Sequence, residues 1–524
     1  MSRSKLKILS FNKGALVSNY INNPDGLYAP THIFPLIDPD PQSHYNEYKN
    51  WGDDDKLYKD HWSRPYIISQ LESQNHVHFG GDGHFEELLD RDTVIEHFNH
   101  PDDVKNVGNI IKQAKLEADD VILVIHRLHS YVVPYDMWNT VRKEGIMFVI
   151  DNAFEAESYS MHRLFYWLHA LFGKVDFVKY LYAAHDIPFM EAGKLSRKNL
   201  LKQEFGIDMI NVEFFMLHEL QGNKSNSDNE ERNKLIYQNY QPELIQKENK
   251  PLKYICLNNY MKEHRLYIVN HLVQNDLLDK GIVSARFSLD QSKPFYNHGV
   301  SEFGSAVTVN KVLEVFRKSL SRDEYKKLSE ALPITIEDDL IDNQHAVNTD
   351  MFNSEGHENY EFRDRWVNWE WYANTDFTIV NESSFTPSLV SQEGIFKQYI
   401  VDYTNHAYFN NAPTDIGFLT EKTFKPIMYG HPFILATHPG ALDRLRHLGF
   451  ETFPDWFDET YDLEPDDATR IEMVCKQITE ACEKDLDINL IKDKLEHNRN
   501  HFFAIENAVS IFNNLFTDIL KRDK

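Results

Sequence analysis

Two short, unbroken runs of apolar residues constrain the fold of this chain more than any other feature. Residues 121–125 read Val-Ile-Leu-Val-Ile, and residues 146–150 read Ile-Met-Phe-Val-Ile. A strand that is buried on both faces needs an apolar residue at every position, whereas a half-exposed strand needs one at every second position. Because a helical pattern over residues 136–143 separates the two runs, the sequence predicts strand–helix–strand units in a parallel sheet.

The same alternation of strand and helix returns in the second half of the chain. Residues 253–257 and 377–380 have the composition of short buried strands, and residues 263–279 form a helical pattern with one apolar face. We therefore predict an α/β fold made of two Rossmann-like, doubly wound domains. Two open sheets of this kind are expected to hold a ligand in a cleft at the carboxyl ends of their strands.

The domain boundaries follow from one polar stretch and from the pattern of the C-terminus. Residues 221–233 form the most polar stretch of the chain, which is typical of a loop or linker. Residues 497–521 place apolar side chains at helical spacing. We expect an N-terminal α/β domain at residues 1–245, a C-terminal α/β domain at residues 246–490, and a C-terminal helix at residues 491–524 that packs across the domains.

The composition restricts the class of partner. The 524 residues include 55 Lys and Arg against 81 Asp and Glu, a formal net charge of −26. This charge argues against a general binder of the nucleic-acid backbone, because such proteins present a positive surface, but it permits a local basic cleft for one diphosphate. The three cysteines are too few for a disulfide framework, and no run of about 18 apolar residues exists to cross a membrane. We therefore expect a soluble, cytoplasmic protein with no membrane partner.

The segment 418–434 has the chemistry of a phosphate-binding helix start. Thr420 is suited to cap a helix whose first turn holds Glu421 and Lys422. A helix N-terminus offers free N–H groups and a positive dipole end, Lys422 adds a full charge, and Glu421 can accept two hydrogen bonds from a ribose diol. The alternative is an ordinary capped surface helix with a solvated Glu–Lys pair. Pro426 predicts that the helix is short or kinked.

Several segments, taken in order along the chain, resemble the donor-binding half of a known group of enzymes. They are residues 253–259, 264–266, 377–382, 420–426, 432–433, 449–453 and 458–462. Together they are similar to a group of glycosyltransferases that is common in bacteriophages and marine viruses, and distantly similar to fucosyltransferases of the GT-B fold. The resemblance covers residues 250–465 and implies that the two domains face each other in the GT-B manner.

The resemblance implies roles for the helix start at residue 420. Glu421 would bind the ribose of a nucleotide-sugar donor, such as a UDP- or GDP-sugar. Lys422, next to the capping residue Thr420, would bind its phosphates. Enzymes of this kind hold no metal at the donor, because cationic side chains and a helix end take its place. No metal and no cofactor beyond the donor are therefore expected.

The resemblance also implies a second set of donor-site residues. Arg265 would neutralise the diphosphate leaving group, and Asn258 and Glu382 would line the same pocket. Without the resemblance, Arg265 would be interpreted as an exposed helix charge paired with Glu263 or Asp279. The chain departs from the pattern of the group at Asn381, where a hydroxyl residue is expected before the glutamate.

Glycosyl transfer with inversion needs a general base that takes the proton of the acceptor hydroxyl. We expect this base in the N-terminal domain. Asp151 and Glu155 follow the second apolar run, at the edge of the sheet where α/β sites lie, and Asp82 lies in a glycine-rich turn. Each of the three is also explained as a helix cap or turn residue, and Glu155 is the preferred base. His126 is better explained as a buried core histidine.

Two other functions stay open at this stage. One is a metal-dependent hydrolase centred on His76, His78, Asp82 and His84, although 25 histidines make such clusters frequent by chance. The other is a non-catalytic protein that binds a nucleotide sugar. The acidic residues 53–55 have no strand before them, so we interpret them as a solvated turn. No Gly-x-Gly-x-x-Gly or Walker motif is present, which argues against dinucleotide oxidoreductases and P-loop kinases.

The acceptor is not defined by any motif. The viral character of the resemblance suggests a hydroxylated base in phage DNA, and a glycan, a lipid or a protein is the alternative acceptor. The net charge of −26 weakly opposes DNA. A DNA acceptor would predict a local basic rim, for which the nearest candidates are Arg127, Lys143, Lys194 and Arg197.

Overall fold

The computed structural model describes two parallel sheets with their flanking helices. The residues that it describes are 3–22, 65, 67–68, 71, 89–126, 132–153, 165, 168–183, 185–186, 202–203, 205–213, 216, 236–237, 240–259, 261–290, 292–293, 316–336, 369–382, 385, 416–417 and 419–522. Contacts divide the chain into two compact units. The first is Met1–His185, Leu195–Glu230 and Ile505–Lys524, and the second is Asp186–Lys194 and Glu231–Ala504.

The first unit is built on a six-stranded parallel sheet. Its strands are β1 (Ser4–Phe11), β2 (Arg91–Phe98), β3 (Asp120–His126), β4 (Met147–Asn152), β5 (Val178–Tyr182) and β7 (Asp208–Asn211), and β6 is a two-residue strand at His185–Asp186. The order across the sheet is β2-β1-β3-β4-β5-β7. Because β2 and β3 lie on opposite sides of β1, the direction of winding reverses there, as in Rossmann-like sheets. The predicted α/β class is confirmed.

The two apolar runs form the central strands β3 and β4. Residues 121–126 of β3 and every residue of β4 are buried. The edge strand β2 was not predicted, because its exposed residues alternate with partly buried ones and its sequence, Arg-Asp-Thr-Val-Ile-Glu-His-Phe, is mostly polar. The sequence also permits a strand at residues 212–218, but residues 212–213 do not form one, since β7 ends at Asn211.

The helices of the first unit follow its strands. They are α1 (Lys13–Asn22), α2 (Pro101–Lys105), α3 (Val107–Glu117) and α4 (Tyr135–Glu144). The sequence pattern over residues 102–118 predicts a single helix, but the structure has two helices there, which are separated at Asn106. The last helix of the four ends at Gly145, whose φ of 66° is left-handed and therefore favours glycine.

The second unit is built on a four-stranded parallel sheet. Its strands are β8 (Leu252–Asn258), β9 (Gly281–Ala285), β10 (Thr375–Asn381) and β12 (Phe433–Ala436), and β11 is a two-residue strand at Ile416–Gly417. The order across the sheet is β12-β10-β8-β9. The chain passes from β8 to β9 on one side and then to β10 on the other side. The winding therefore reverses between β8 and β10, and ligands of open α/β sheets bind at such a point.

The helices of the second unit surround this sheet. They are α5 (Pro242–Ile245), α6 (Glu263–Gln274), α7 (Arg322–Ala331), α8 (Trp369–Asn374), α9 (Glu421–Met428), α10 (Ala441–His447), α11 (Asp467–Glu483) and α12 (Lys492–Phe503), with 3-10 turns at Leu278–Lys280, Glu459–Leu463 and Ile488–Leu490. The helix predicted to reach residue 279 ends at Gln274, because Asp276 adopts a left-handed φ of 54°. The sequence predicts Gly281 as the residue just past the end of that helix. In the structure, Gly281 is the first residue of β9.

The C-terminal segment contains two helices where the pattern at residues 497–521 indicated one. An extended residue, Ala504, separates α12 from α13 (Ile505–Leu520). The helix α13 belongs to the first unit, where it contacts β4 and β7. Among the described residues, no helix is both long enough and apolar enough to span a bilayer.

Candidate functional site

Two asparagines mark the point at which the winding of the second sheet reverses. Ile379 of β10 lies opposite Cys256 of β8, so the same register places Asn381 opposite Asn258 at the carboxyl ends of the two strands. The side-chain Nδ2 of Asn381 donates to Oδ1 of Asn258 at 2.9 Å, and both residues are buried. The sequence-predicted residue Asn258 therefore lies at the expected edge of the sheet.

Glu382 follows β10 and holds the start of α9. Its carboxylate is fully buried and accepts three hydrogen bonds: from the backbone N of Thr420 at 2.9 Å, from Oγ1 of Thr420 at 2.6 Å and from Oγ1 of Thr423 at 2.5 Å. A buried carboxylate is costly unless donors compensate for the water that it loses. These three donors do so, and they fix the end of β10 to the first turn of α9.

The first turn of α6 contacts the same residue from the other side. Arg265 is 3% exposed, and its guanidinium donates to the carbonyl oxygens of Asn381 and Glu382, both at 3.2 Å. The Nε2 of His264 lies 2.9 Å from the carbonyl oxygen of Glu382. Burial, with the charges of Arg265 and Lys262, holds the pKa of His264 well below its ordinary value. The imidazole is therefore neutral, and Nε2 carries the proton that it donates to this carbonyl.

The predicted ligands of the donor lie on the partly exposed first turn of α9. The side chain of Glu421 is 24% exposed and that of Lys422 is 32% exposed, and the two form an ion pair. The predicted cap is confirmed, since Oγ1 of Thr420 accepts from the backbone N of Lys422 at 3.4 Å. The helix is short, with eight residues and Pro426 inside it, as the sequence predicted.

Of the three candidate bases, Asp151 lies among the described residues. Asp151, at the end of β4, is fully buried and accepts from the backbone N of Ile67 at 2.8 Å and of Ala153 at 3.0 Å. Its role as a base stays a prediction. His126 is buried at the end of β3, as expected of a core histidine. The preferred base Glu155 and the alternative Asp82 lie outside the described residues.

Other sequence-predicted sites fall largely outside the described part of the chain. This applies to the histidine cluster, to the acidic turn and linker, and to most of the basic rim, that is, to His76, His78, His84, residues 53–55, residues 221–233, Arg127, Lys194 and Arg197. Lys143 is described and lies exposed on α4. Within the described ranges, no group of three or more His, Cys, Asp or Glu residues is arranged to hold a metal ion.

A cavity of about 350 Å³ lies in the first unit. It is lined by the first turns of α3 and α4, with Lys105, Gly108, Asp136 and Thr140 among its residues. None of the sequence-predicted site residues lines it.

Sequence reasoning missed three residues that organise the second unit. Thr423 and His264 hold Glu382, as described above. Arg470 of α11 is buried and donates to the carbonyl oxygens of Thr437 at 3.1 Å and of Phe385 at 2.9 Å, so it joins the end of β12 to the segment after β10. The only sequence signal for Arg470 is a lone arginine among the apolar residues of an amphipathic helix. That signal does not identify the backbone carbonyls of Thr437 and Phe385 as its acceptors.

Comparisons with known proteins give little support to any function. No family model and no curated protein matches this sequence. Among solved structures, the chain is similar to the N-terminal domain of trehalose-6-phosphate phosphatase from Candida albicans, with 12% identity over 99% of this chain and 97% of the other, at a TM-score of 0.32. A likeness at that score carries no information on activity.

Proposed function

We propose that this chain is a glycosyltransferase of the GT-B class, which moves a sugar from a nucleotide-sugar donor to an acceptor hydroxyl without a metal ion. The observation that carries the proposal is the partly exposed Glu421–Lys422 pair on the first turn of α9. This turn is tied to the carboxyl end of β10, where ligands of doubly wound sheets bind. It combines a carboxylate, an ammonium group and a helix N-terminus in one place.

The chemistry of these groups suits a nucleoside diphosphate. The carboxylate of Glu421 can accept both hydroxyls of a ribose diol, and Lys422 with the positive dipole end of α9 can stabilise the diphosphate. Arg265 adds a buried positive charge behind the same edge. In the proposed reaction, the acceptor oxygen attacks the anomeric carbon while the bond to the diphosphate breaks. The nucleoside diphosphate leaves with that electron pair, and the acceptor proton passes to a general base.

Donor binding is the direct test. Thermal unfolding of the purified chain is followed with UDP, GDP, ADP, CMP and their sugars, each titrated to saturation. A ligand at 100 times its dissociation constant adds about 2.7 kcal/mol to the stability, so the true donor gives a clear shift. Glu421→Ala and Lys422→Ala should abolish that shift. Glu330→Ala is the matched control, because Glu330 also pairs with a lysine on an exposed helix face.

Two results would contradict the proposal. If no nucleotide or nucleotide sugar shifts the wild-type transition, the chain binds no such donor and the proposed function fails. If a donor binds but no nucleoside diphosphate is released with any acceptor, the chain is a binding protein. Glycosylated and hydroxylated DNA duplexes, free glycans and water serve as the acceptor panel.

A further inference from the structure

One residue, Glu382, connects three elements of the second unit. Its side chain accepts from the first turn of α9, through Thr420 and Thr423. Its backbone carbonyl accepts from the first turn of α6, through His264 and Arg265. The residue therefore lies between the two helices that begin at the carboxyl edge of this sheet.

We infer that Glu382 is a positioning residue of the donor site, which sets the direction of Lys422 through Thr420, and not a ligand of the donor. The inference rests on the proposed function. It changes the role that the resemblance implies for Glu382, from contact with the nucleotide to control of the groups that make this contact.

The carboxylate of Glu382 is buried and already accepts hydrogen bonds from protein groups, which supports a positioning role. The side chain has no exposed surface, and each of its oxygens already accepts a short hydrogen bond. A ribose hydroxyl would have to displace Thr420 or Thr423, both of which are themselves buried. Glu421, in contrast, is partly exposed on the same turn and can reach a ligand without rearrangement of the interior.

The hydroxyl of Thr420 connects Glu382 to Lys422, because it donates to the first and accepts from the second. Thr420 has a single hydroxyl proton, and it donates that proton to Oε2 of Glu382. The lone pairs of the same oxygen then accept from the backbone N of Lys422 at 3.4 Å and from its Nζ at 3.3 Å. Because Oε2 of Glu382 accepts the hydroxyl proton, the oxygen of Thr420 serves as an acceptor toward Lys422.

Two substitutions separate positioning from direct contact. Thr423→Val removes one donor to Glu382 at a fully buried position that no ligand can reach. Glu382→Gln keeps the size of the side chain but places an amide donor against Thr420, which reverses the direction of its hydroxyl. We expect each to raise the dissociation constant of the donor roughly tenfold, as suits one hydrogen bond to a charged group. The double variant should be much less than a hundredfold weaker, since both act through α9.

Hydrogen exchange provides a readout that needs no donor. Amides in the first turn of α9 should exchange roughly tenfold faster in both variants, because each loses one hydrogen bond that secures this turn. Thr469→Val is the matched control, since Oγ1 of Thr469 donates to the carboxylate of Asp466 at the start of α11 at 2.9 Å. It should change neither the exchange of α9 nor the affinity for the donor.

The outcomes distinguish this inference from the proposed function. If exchange at the start of α9 stays at the wild-type rate in both variants, Glu382 does not position the helix and the inference is wrong. The same holds if Thr423→Val binds the donor as wild type while Glu382→Gln loses as much affinity as Glu421→Gln, because Glu382 is then a ligand. If exchange rises as expected but the wild type binds no nucleotide, the proposed function fails and the role in donor binding fails with it.

Discussion

Replacement of Lys250 by methionine should remove a steep dependence of stability on pH. Lys250 is 8% exposed, and its Nζ donates to the carbonyl oxygens of Thr375 at 2.7 Å and of Tyr372 at 3.0 Å. No carboxylate forms an ion pair with it among the described residues. Burial therefore lowers the pKa of Lys250 to about 7, against a partly opposing effect of Asp376.

The sign and size of the effect follow from the two pKa values. In the unfolded chain the amine keeps its proton up to its ordinary pKa of 10.5, whereas in the native protein it loses the proton near 7. Between these values the unfolded state binds more protons, so the free energy of unfolding rises with pH. At 1.36 kcal/mol for each step of one in pKa, the interval from 7 to 10.5 corresponds to about 5 kcal/mol.

The assay is the midpoint of urea unfolding at a series of pH values from 6.5 to 10, followed by tryptophan fluorescence. The quantity of interest is the difference between wild type and Lys250→Met, because the thiols and phenols that ionise in this range are common to both proteins. At pH 6.5 the variant should be the more stable protein, and the advantage should shrink steadily as the pH rises. Lys326→Met, at an exposed lysine, is the control and should follow the wild type. Parallel curves for wild type and Lys250→Met would refute the reasoning.

Three further predictions concern the second unit. Burial raises the pKa of Asp462 to about 6, so the native state binds more protons than the unfolded state between pH 3.8 and 6. The free energy of unfolding should therefore fall by about 3 kcal/mol as the pH rises through this window. Urea unfolding of Asp462→Asn at the same pH values should not show this fall. Arg470→Lys should cost about 3 kcal/mol, because a lysine cannot serve the buried backbone carbonyls of Thr437 and Phe385 together; a loss below 1 kcal/mol in urea unfolding would contradict this. Gly449→Ala should cost at least 1 kcal/mol in the same assay, since φ is 91° and the new methyl group would lie 2.5 Å from Nε2 of His501; unchanged stability would contradict it.

The strands that sequence analysis found are those for which burial alone determines the composition. β3 and β4 are apolar at nearly every position, and so are readily recognised. β2 and β9 were missed for opposite reasons. The edge strand β2 has polar residues on its exposed side, and β9 has only five residues and begins with a glycine that also resembles the end of a helix.

In the candidate site, contacts between residues close in sequence were predictable, whereas contacts between residues far apart in sequence were not. The cap at Thr420 was predictable, because a capping residue and the amides that it serves lie within three positions of each other. The partners of Glu382 were not, since they lie 38 and 41 positions away and meet it only in the folded sheet. The sequence around a glutamate does not show whether its carboxylate is a buried hydrogen-bond acceptor or an exposed group that binds a ligand.

The exposed and buried parts of the site depend on each other energetically. A buried carboxylate such as Glu382 is tolerated only with all of its donors in place, and two of the three come from Thr420. Removal of one partner leaves the others unsatisfied, which costs more than the hydrogen bond itself contributed. The first turn of α9 is therefore held in one arrangement by the interior, and this turn carries the partly exposed Glu421 and Lys422. Glu421 and Lys422 can then be substituted while the buried network stays intact, whereas a change at Glu382 must be matched at Thr420 and Thr423.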